Sequence, residues 1–398
     1  MNTTAPENVG FSSARLRRLD ALMQRYVDER WLPGVLTVVS RHGKVAYCEC
    51  AGLMDIESQK PVQVDTIFRI YSMTKPITSV AVMMLYEEGC LQLNEPVAKY
   101  IPAFGDLKVF VSDNERADCA RPMTIRHLLT HTSGLTYDFL GDSPVDQMCK
   151  EAELHRRDAS LQEMIDKLAR LPLVHQPGSA WRYSMATDVL GYLVQGVSGM
   201  PFDEFLRERI LQPLGMVDTD FYAPEAKLDR LATLYGSNLQ VVDPARGGEY
   251  ARRPRLSSGG GGLVSTAPDY LRFCQMMLNG GALDGVRILG RKTVELMTMN
   301  HLSPELMPIR FPDGPVEGVG FGLGFSVVTD VAATQVAHSV GSYGWGGAAS
   351  TLCWIDPVED MIVIMMTQLM TISEDETPPP RRDFGQDMRA VVYQALVD

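Results

Sequence analysis

The sequence predicts an α/β plus α fold, in which an antiparallel β-sheet flanked by N- and C-terminal helices carries an inserted, mainly helical domain. Strand patterns occur near both ends of the chain, whereas the segment from about Leu91 to Arg252 combines helical patterns with long polar connections. We therefore expect a discontinuous α/β domain of residues 1–70 and 253–398 and a helical domain of residues 71–252. Because clefts commonly form between domains, the active site is expected at their interface.

The N-terminal elements are a helix and a β-hairpin. A serine at position 12 or 13 can cap a helix whose apolar residues, up to Val27, fall on one side. The runs Val35 to Ser40 and Lys44 to Cys50 are rich in strand-forming residues, and the turn Arg41-His42-Gly43 separates them. The helix is therefore expected to pack on an antiparallel pair of strands.

Helical periodicity marks the middle of the chain, where repeated strand patterns are absent, and strand patterns return near the end. Helices are predicted over Met123 to His131, Leu161 to Leu171 and Met185 to Val197. The C-terminal part is predicted to contain strands over Gly324 to Thr329, Ser350 to Ile355 and Met361 to Gln368, an acidic and then proline-rich loop over Glu374 to Arg382, and a final helix over about Phe384 to Leu396.

Composition limits the classes of partner. Of the 398 residues, 45% are hydrophobic and 22% charged, which is typical of a globular protein. The 37 basic and 49 acidic residues give a net charge of -12, which argues against nucleic acid or an anionic membrane as partner and leaves small-molecule substrates. The seven cysteines lack CxxC spacing, and neither a signal-peptide pattern nor an apolar run of about 18 residues is present, so a cytoplasmic protein with reduced thiols is expected.

The first candidate for chemistry is Ser72, in the stretch Ile70-Tyr71-Ser72-Met73-Thr74-Lys75-Pro76. The apolar segment that follows has helical spacing and ends at Gly89, so a helix is predicted to begin near Ser72. Residues three apart share one face of a helix, so the Lys75 amine can contact the serine oxygen. A serine becomes a nucleophile when a base removes its proton, and a desolvated lysine at a helix start can act as that base.

Two further stretches can complete such a site. Trp181-Arg182-Tyr183-Ser184-Met185 precedes a helix, and a Tyr183 phenolate near a lysine ammonium can take the serine proton and return it to the leaving group. Gly341-Ser342-Tyr343-Gly344-Trp345-Gly346-Gly347-Ala348 precedes a predicted strand, where a backbone N–H can join that of Ser72 as an oxyanion hole. The alternatives are a packing role for Tyr183 and a flexible turn with a packed Trp345.

Other patterns indicate structural roles. His127 and His131 are four apart on a predicted helix, but no cysteine or carboxylate completes a ligand set, so no metal is predicted. Gly259-Gly260-Gly261-Gly262 lacks the Lys-Ser/Thr of a phosphate loop and is expected to pack tightly before the helix at Pro268. The chain contains no Gly-x-Ser-x-Gly, which excludes the usual α/β-hydrolase elbow.

Taken in order, Ser72-Met73-Thr74-Lys75, Tyr183-Ser184-Met185 and Trp345-Gly346-Gly347 resemble the motifs of the serine β-lactamase and penicillin-recognising superfamily, which includes the class C β-lactamases. The branch it resembles most is that of the family VIII carboxylesterases. The run Arg126 to Leu135 is similar to another stretch typical of the superfamily.

This resemblance implies roles for individual residues. Ser72 would be the acylated nucleophile, Lys75 and Tyr183 the base and acid, and the N–H groups of Ser72 and Ala348 the oxyanion hole. No metal or organic cofactor is implied. The residues assigned to substrate binding are Tyr71, Met185, Trp345, Gly346 and Gly347.

Two departures from the β-lactamase pattern bear on the substrate. Where a β-lactamase has Tyr-x-Asn this chain has Met185, which cannot hydrogen-bond a substrate amide. Where it has Lys-Thr-Gly this chain has Trp345-Gly346-Gly347, without a cation for a substrate carboxylate. Both changes favour neutral esters and leave weak β-lactam hydrolysis open. His338 is the alternative start of the third motif, because related peptidases have His-x-Gly there; we prefer Trp345.

We therefore expect a serine carboxylesterase that hydrolyses small or short-acyl esters through an acyl-enzyme on Ser72. Among enzymes, the alternatives on the same scaffold are an acyltransferase, a D-amino-acid peptidase and a β-lactamase. The alternative from another class is a non-catalytic sensor that binds its ligand covalently and stays acylated.

Overall fold

The computed structural model describes residues 1–370 and 383–398, so the predicted loop over Glu374 to Arg382 lies outside the described residues. The helices are α1 (Ser13–Leu16), α2 (Arg18–Asp28), α3 (Thr74–Glu87), α4 (Ile125–Leu129), α5 (Pro144–Glu151), α6 (Leu161–Leu168), α7 (Ala186–Ser198), α8 (Phe202–Leu206), α9 (Ala267–Leu278), α10 (Arg291–Met297), α11 (Val331–Thr334) and α12 (Phe384–Tyr393).

The strands are β1 (Gly34–Arg41), β2 (Lys44–Asp55), β3 (Lys60–Pro61), β4 (Phe68–Arg69), β5 (Lys108–Ser112), β6 (Glu115–Asp118), β7 (Leu234–Tyr235), β8 (Val241–Asp243), β9 (Val264–Ser265), β10 (Ala282–Leu283), β11 (Val286–Arg287), β12 (Arg310–Phe311), β13 (Gly314–Pro315), β14 (Val319–Phe321), β15 (Ser326–Val328), β16 (Tyr343–Gly346), β17 (Leu352–Asp356) and β18 (Met361–Thr367).

An antiparallel sheet combines strands from both ends of the chain. Within the described residues it has eight strands in the order β14-β15-β16-β17-β18-β1-β2-β3, so β18 lies beside β1. The β1–β2 hairpin turns at His42 and Gly43, whose φ angles of 52° and 68° are those of a tight two-residue turn. The sheet and its flanking helices confirm the predicted fold class.

Both faces of this sheet are covered, because alternate residues of a strand point to opposite faces. Leu36 and Val38 of β1 join a core with α3, α7 and α9. Val35 and Val39 join a second core with α2 and α12. The strand is consequently buried along its whole length. The helix at the N-terminus begins as predicted, with the Ser12 hydroxyl accepting from a backbone N–H, but it is divided into α1 and α2.

The expectation that strands are absent from the middle of the chain is wrong. Residues 108–118 form the hairpin β5–β6, which an ion pair of 2.6 Å between Lys108 and Asp118 closes, and β7 pairs with β8. Strands β5 and β6 are short and largely exposed, so charged residues obscure their period-two pattern. Helices α4, α6 and α7 agree with their predicted ranges to within a few residues. The domain boundaries stay a prediction. Among the described helices, none is long and apolar enough to cross a bilayer.

Candidate active site

Ser72 lies in a single 3-10 turn, Tyr71–Met73, that leads directly into α3. Tyr71 has a φ of 41°, a left-handed conformation that residues other than glycine rarely adopt. Such a conformation persists only where the surroundings support it, and the Tyr71 ring packs edge-on against Tyr250 with 6.1 Å between centroids. The supported turn places Ser72 at the start of a buried helix.

The Ser72 hydroxyl is in contact with two side chains. Tyr183 Oη lies 2.6 Å from Ser72 Oγ, and Lys75 Nζ lies 3.2 Å from it. Lys75 lies three residues after Ser72, in the first turn of α3, whereas Tyr183 comes from the segment before α7, 111 residues away in sequence. The structure thus brings together the three residues for which the sequence predicts catalytic roles.

Lys75 is completely buried and has two further hydrogen-bond partners. Its Nζ donates to Tyr137 Oη at 2.9 Å and to the carbonyl oxygen of Gly260 at 2.7 Å. The same atom lies 4.5 Å from the centroid of the Tyr183 ring and 5.0 Å from that of Tyr137, where a cation is attracted to the ring face. These contacts hold the amine against Ser72.

Tyr137 and Asp188, for which the sequence predicts no role, form a layer behind Lys75. Tyr137 Oη donates to Asp188 Oδ2 at 3.4 Å, and Asp188 Oδ1 accepts from the Gly260 N–H at 3.0 Å and from the Ser258 hydroxyl. Burial, followed by the Asp188 carboxylate, raises the pKa of Tyr137 well above its usual value, so this phenol stays protonated. The feature of the sequence that could have indicated Tyr137 is its position, two residues after the run Arg126 to Leu135.

The four-glycine loop packs against this layer. A Cβ atom on Gly260 would lie 2.3 Å from Asp188 Oδ2 and 2.7 Å from Tyr137 Oη, and one on Gly259 would lie 2.6 Å from the Thr187 carbonyl. Only residues without a side chain allow the backbone to come this close. The predicted tight packing is confirmed, and its consequence, delivery of the Gly260 carbonyl to Lys75, was missed.

Strand β16 lies beside the Ser72 turn. The stretch was expected to precede a strand, but Tyr343–Gly346 form a strand themselves. A Cβ atom on Gly347 would lie 2.4 Å from the Ile70 carbonyl, so this glycine permits the close approach. The N–H of the next residue, Ala348, has no acceptor within residues 1–370 and 383–398 and is available to a substrate.

The two candidates for the third motif lie in different surroundings. Trp345 is on β16, and its Nε1 lies 3.4 Å from Tyr183 Oη. His338 follows α11 and shares a hydrogen bond of 2.8 Å with Thr334, and burial lowers its pKa to about 4. Of the two candidates, Trp345 is therefore the one that contacts Tyr183, which in turn contacts Ser72.

Aromatic side chains surround Tyr183, and two of them, Trp181 and Phe311, line a cavity beside it. Ring centroids lie between 5.0 and 6.4 Å from that of Tyr183 for His131, Tyr137, Trp181, Phe311 and Trp345. The cavity beside Tyr183 measures about 190 Å³, and its other lining residues are Leu140, Asp142, Trp181, Arg182, Arg310, Phe311 and Pro312. Met185 is completely buried at the start of α7, so its side chain offers a substrate no contact.

The two histidines that suggested a metal pair have separate structural roles. His127 Nδ1 accepts from the Thr124 N–H and caps α4. His131 Nδ1 shares a hydrogen bond of 3.1 Å with the Ser184 hydroxyl, and burial and the nearby Lys75 hold its pKa well below the usual value. No group of three or more His, Cys, Asp and Glu side chains is placed to hold a metal ion in the described part of the chain.

This fold, with a serine, a lysine and a tyrosine in contact at the start of a buried helix, is that of a serine hydrolase. Residues 19–386 match the family model described as Beta-lactamase, and the chain belongs to this family.

Two relatives and one solved structure illustrate the likeness. Protein Rv1367c of Mycobacterium tuberculosis (strain ATCC 25618 / H37Rv) is 38% identical over 360 residues, which cover 87% of this chain and 88% of the relative. Esterase EstB of Burkholderia gladioli is 33% identical over 365 residues, which cover 88% of this chain and 89% of EstB. The structure of EstCE1, a hydrolase with promiscuous acyltransferase activity, is similar with a TM-score of 0.78 and 28% identity, and the match covers 96% of this chain and 99% of EstCE1.

Proposed function

We propose that the protein is a serine carboxylesterase of the family VIII type, which hydrolyses small or short-acyl esters through an acyl-enzyme on Ser72. The observation that carries the proposal is the double contact of Ser72 Oγ with Tyr183 Oη and Lys75 Nζ. A serine held in this way can transfer its proton while it attacks a carbonyl carbon. The likeness to EstB, an esterase, supports the same class of reaction.

In the acylation step, Ser72 Oγ attacks the ester carbonyl carbon and its proton passes to the pair of Tyr183 and Lys75. The contacts of Lys75 with Tyr137 and Gly260 use two N–H groups, so the remaining position on Nζ faces Ser72 whether the amine is charged or neutral. The N–H groups of Ser72 and Ala348 stabilise the oxyanion that forms.

The intermediate then collapses and breaks the ester C–O bond. Tyr183 returns the proton to the departing alkoxide, and the alcohol leaves. A water molecule attacks the acyl-enzyme by the same route, with its proton taken by the same pair. The carboxylic acid is released, and Ser72 recovers its proton.

The size of the cavity supports small substrates. Its volume of about 190 Å³ is below the roughly 300–1,000 Å³ of pockets that take drug-sized ligands. Trp181 and Phe311 supply apolar walls for an acyl or alcohol group. Tyr71, Trp345, Gly346 and Gly347 are the further contacts that we assign to the substrate.

Labelling with a fluorophosphonate, followed by peptide mapping, tests the nucleophile. We expect the label on Ser72 and its loss in Ser72→Ala. Ser79→Ala is the matched control, because Ser79 lies on the same helix and its buried hydroxyl has no hydrogen-bond partner in the described structure. A label on any serine other than Ser72 would contradict the proposal.

Acyl transfer is a second candidate activity, because an alcohol can replace water in the attack on the acyl-enzyme. The likeness to EstCE1, a hydrolase with promiscuous acyltransferase activity, favours it. Product analysis with an added short alcohol separates a new ester from the free acid. A chromogenic cephalosporin and a D-Ala peptide test the β-lactamase and peptidase alternatives, and an adduct that persists in intact-mass measurements without turnover would indicate a sensor.

The proposed location is the cytoplasm. All seven cysteines are free thiols, which suits a reducing compartment. Immunodetection in fractionated cells tests this location, and recovery outside the cytoplasmic fraction would contradict it.

A further inference from the structure

The cavity beside Tyr183 is lined by an arginine, Arg310, that no side chain of the described residues engages by a hydrogen bond or an ion pair. Arg310, the first residue of β12, is exposed and lines this cavity next to Phe311. Within residues 1–370 and 383–398 its guanidinium makes neither a hydrogen bond nor an ion pair. A guanidinium whose five N–H donors lack a partner among the described residues favours an anionic ligand.

The second arginine of the cavity, Arg182, is paired with two carboxylates. It forms ion pairs with Asp142 and with Asp146, the latter at 2.8 Å, and it donates to the Thr136 hydroxyl at 2.8 Å. Asp142 is the one carboxylate among the described residues that line the cavity, and it is bound to Arg182. Among the described lining residues, Arg310 is therefore the cation without an ion-pair partner, and the one carboxylate is already paired.

The hairpin β12–β13 holds Arg310 close to the chemistry. The ring of Phe311, the next residue, lies 5.6 Å from that of Tyr183 and 5.4 Å from that of Trp181, measured between centroids. Across the hairpin, Arg310 pairs with Pro315. Since Phe311 is packed on the tyrosine that contacts Ser72, the hairpin fixes the backbone of Arg310 beside the same cavity.

We propose that Arg310 binds a carboxylate carried by the substrate, so that the preferred esters have a free acid group in the acyl or the alcohol half. This inference rests on the proposed esterase function. A guanidinium matches a carboxylate with two parallel hydrogen bonds, which adds orientation to attraction. The sequence suggested neutral esters because the third motif has no cation, but the tertiary structure supplies one from a hairpin that is remote in sequence.

The test compares matched esters that differ in one carboxylate. 4-Nitrophenyl butyrate and the 4-nitrophenyl half-ester of succinic acid place the difference in the acyl half, and phenyl acetate and 4-carboxyphenyl acetate place it in the alcohol half. The variants are Arg310→Gln and Arg310→Lys. The matched control is Arg25→Gln, which removes an exposed arginine of α2, on the far face of the sheet from the Ser72 helix.

For the anionic ester of at least one pair, we expect kcat/KM to fall about tenfold in Arg310→Gln, as the loss of a charged hydrogen-bond pair at a partly exposed site predicts. The neutral esters should stay within about twofold of the parent protein, and Arg310→Lys should lie in between. Arg25→Gln should leave kcat/KM unchanged for both the anionic and the neutral esters. Raising the salt concentration from about 0.02 M to about 0.5 M should reduce the preference for the anionic ester in the parent protein and leave Arg310→Gln unaffected.

Equal losses for anionic and neutral esters would overturn the proposal in favour of a structural role for Arg310. Anionic-ester rates that Arg310→Gln leaves unchanged in both pairs would also overturn it. Failure of the esterase function has a different signature, because neutral esters would then show no turnover and Ser72 no label. Calorimetry of the intact anionic ester with Ser72→Ala, with and without Arg310→Gln, supports the carboxylate contact if affinity falls about tenfold and overturns it if affinity is unchanged.

Discussion

Lys75 Nζ lies 2.7 Å from the carbonyl oxygen of Gly260, a contact between residues 185 apart in sequence. A carbonyl only accepts hydrogen bonds, so it always takes one N–H of the amine. Tyr137 Oη takes a second, at 2.9 Å. The direction in which Lys75 faces Ser72 is therefore decided by two groups outside its own helix.

Gly260→Ala tests this relationship. The new Cβ would lie 2.3 Å from Asp188 Oδ2, so the loop must shift and carry its carbonyl away from Lys75. We expect a loss of about 1–3 kcal/mol in the free energy of unfolding, as for overpacked sites, together with lower kcat. Urea denaturation and ester turnover measure the two effects.

Gly196→Ala is the control for this substitution. A Cβ at Gly196, inside α7, meets no atom within 4 Å, and alanine in a helix interior is more favourable than glycine by roughly 0.5–1 kcal/mol. Its stability should be unchanged or higher. Parent-like stability and activity in Gly260→Ala would show that the close approach has no functional consequence.

Tyr183→Phe removes the hydroxyl that lies 2.6 Å from Ser72 Oγ while it keeps the packed ring. We expect kcat/KM for 4-nitrophenyl acetate to fall about 10³-fold, within the range for loss of a general acid–base group. The double variant with Lys75→Ala should be little worse than either single variant, because the two residues act as a unit. Tyr192→Phe, whose hydroxyl contacts only Gln162 among the described residues, is the control and should be active. A Tyr183→Phe rate above about a tenth of the parent rate would exclude the proposed proton transfer.

Tyr137→Phe removes the oxygen that accepts from Lys75 and donates to Asp188. Because Tyr137 acts through Lys75, it is a positioning residue, and we expect kcat to fall about tenfold to a hundredfold with little change in KM. The pH profile of kcat should shift as well, since the partner of the lysine has changed. A rise in KM alone, with kcat unchanged, would indicate a substrate contact instead.

Trp345→Ala and His338→Ala distinguish the two assignments of the third motif. Trp345 Nε1 is 3.4 Å from Tyr183 Oη, whereas His338 is hydrogen-bonded to Thr334. We expect a loss of about tenfold or more in kcat/KM for Trp345→Ala, as for removal of a packed aromatic residue that contacts a catalytic group, and near-parent activity for His338→Ala. Loss of activity in His338→Ala, with Trp345→Ala unaffected, would show that His338 marks the third motif.

Acid should destabilise the protein through its buried histidines. Burial lowers the pKa of His127 from 6.5 to about 4, so as the pH falls the unfolded chain takes up this proton first. The contribution to stability is complete above about pH 6.5 and is lost as the pH falls from there towards about 4. His127→Gln removes this titration and keeps the capping box, in which glutamine is a usual partner.

Urea denaturation at neutral pH and near pH 5 measures this difference. The loss of unfolding free energy between the two conditions should be smaller in His127→Gln than in the parent protein. His338, whose pKa is likewise lowered to about 4, is present in both and accounts for part of the remaining loss. Equal losses in the two proteins would show that His127 does not contribute.

Much of the fold could be predicted because its signals are local. The β1–β2 hairpin follows from two apolar runs and a two-residue turn, and α3 follows from helical spacing after Ser72. Short strands such as β5 and β6 were missed because few residues carry the period-two pattern and many of them are charged and exposed. For the loop that contains Gly260, tight packing could be predicted. Its contact with Lys75 could not, because periodicity does not indicate what a loop contacts.

The sequence by itself determined the family likeness through three ordered motifs. It also predicted a common site for Ser72, Lys75 and Tyr183, because Lys75 follows Ser72 by three residues at one predicted helix start and Tyr183 precedes another. Only the tertiary structure decided that Tyr137 and Gly260 hold the lysine and that Arg310 lines the cavity beside Tyr183. The physical reason is that hydrogen bonds and packing act over a few ångströms in space. Which distant segments come that close depends on the packing of the whole sheet and its helices. A local sequence pattern therefore does not predict these contacts.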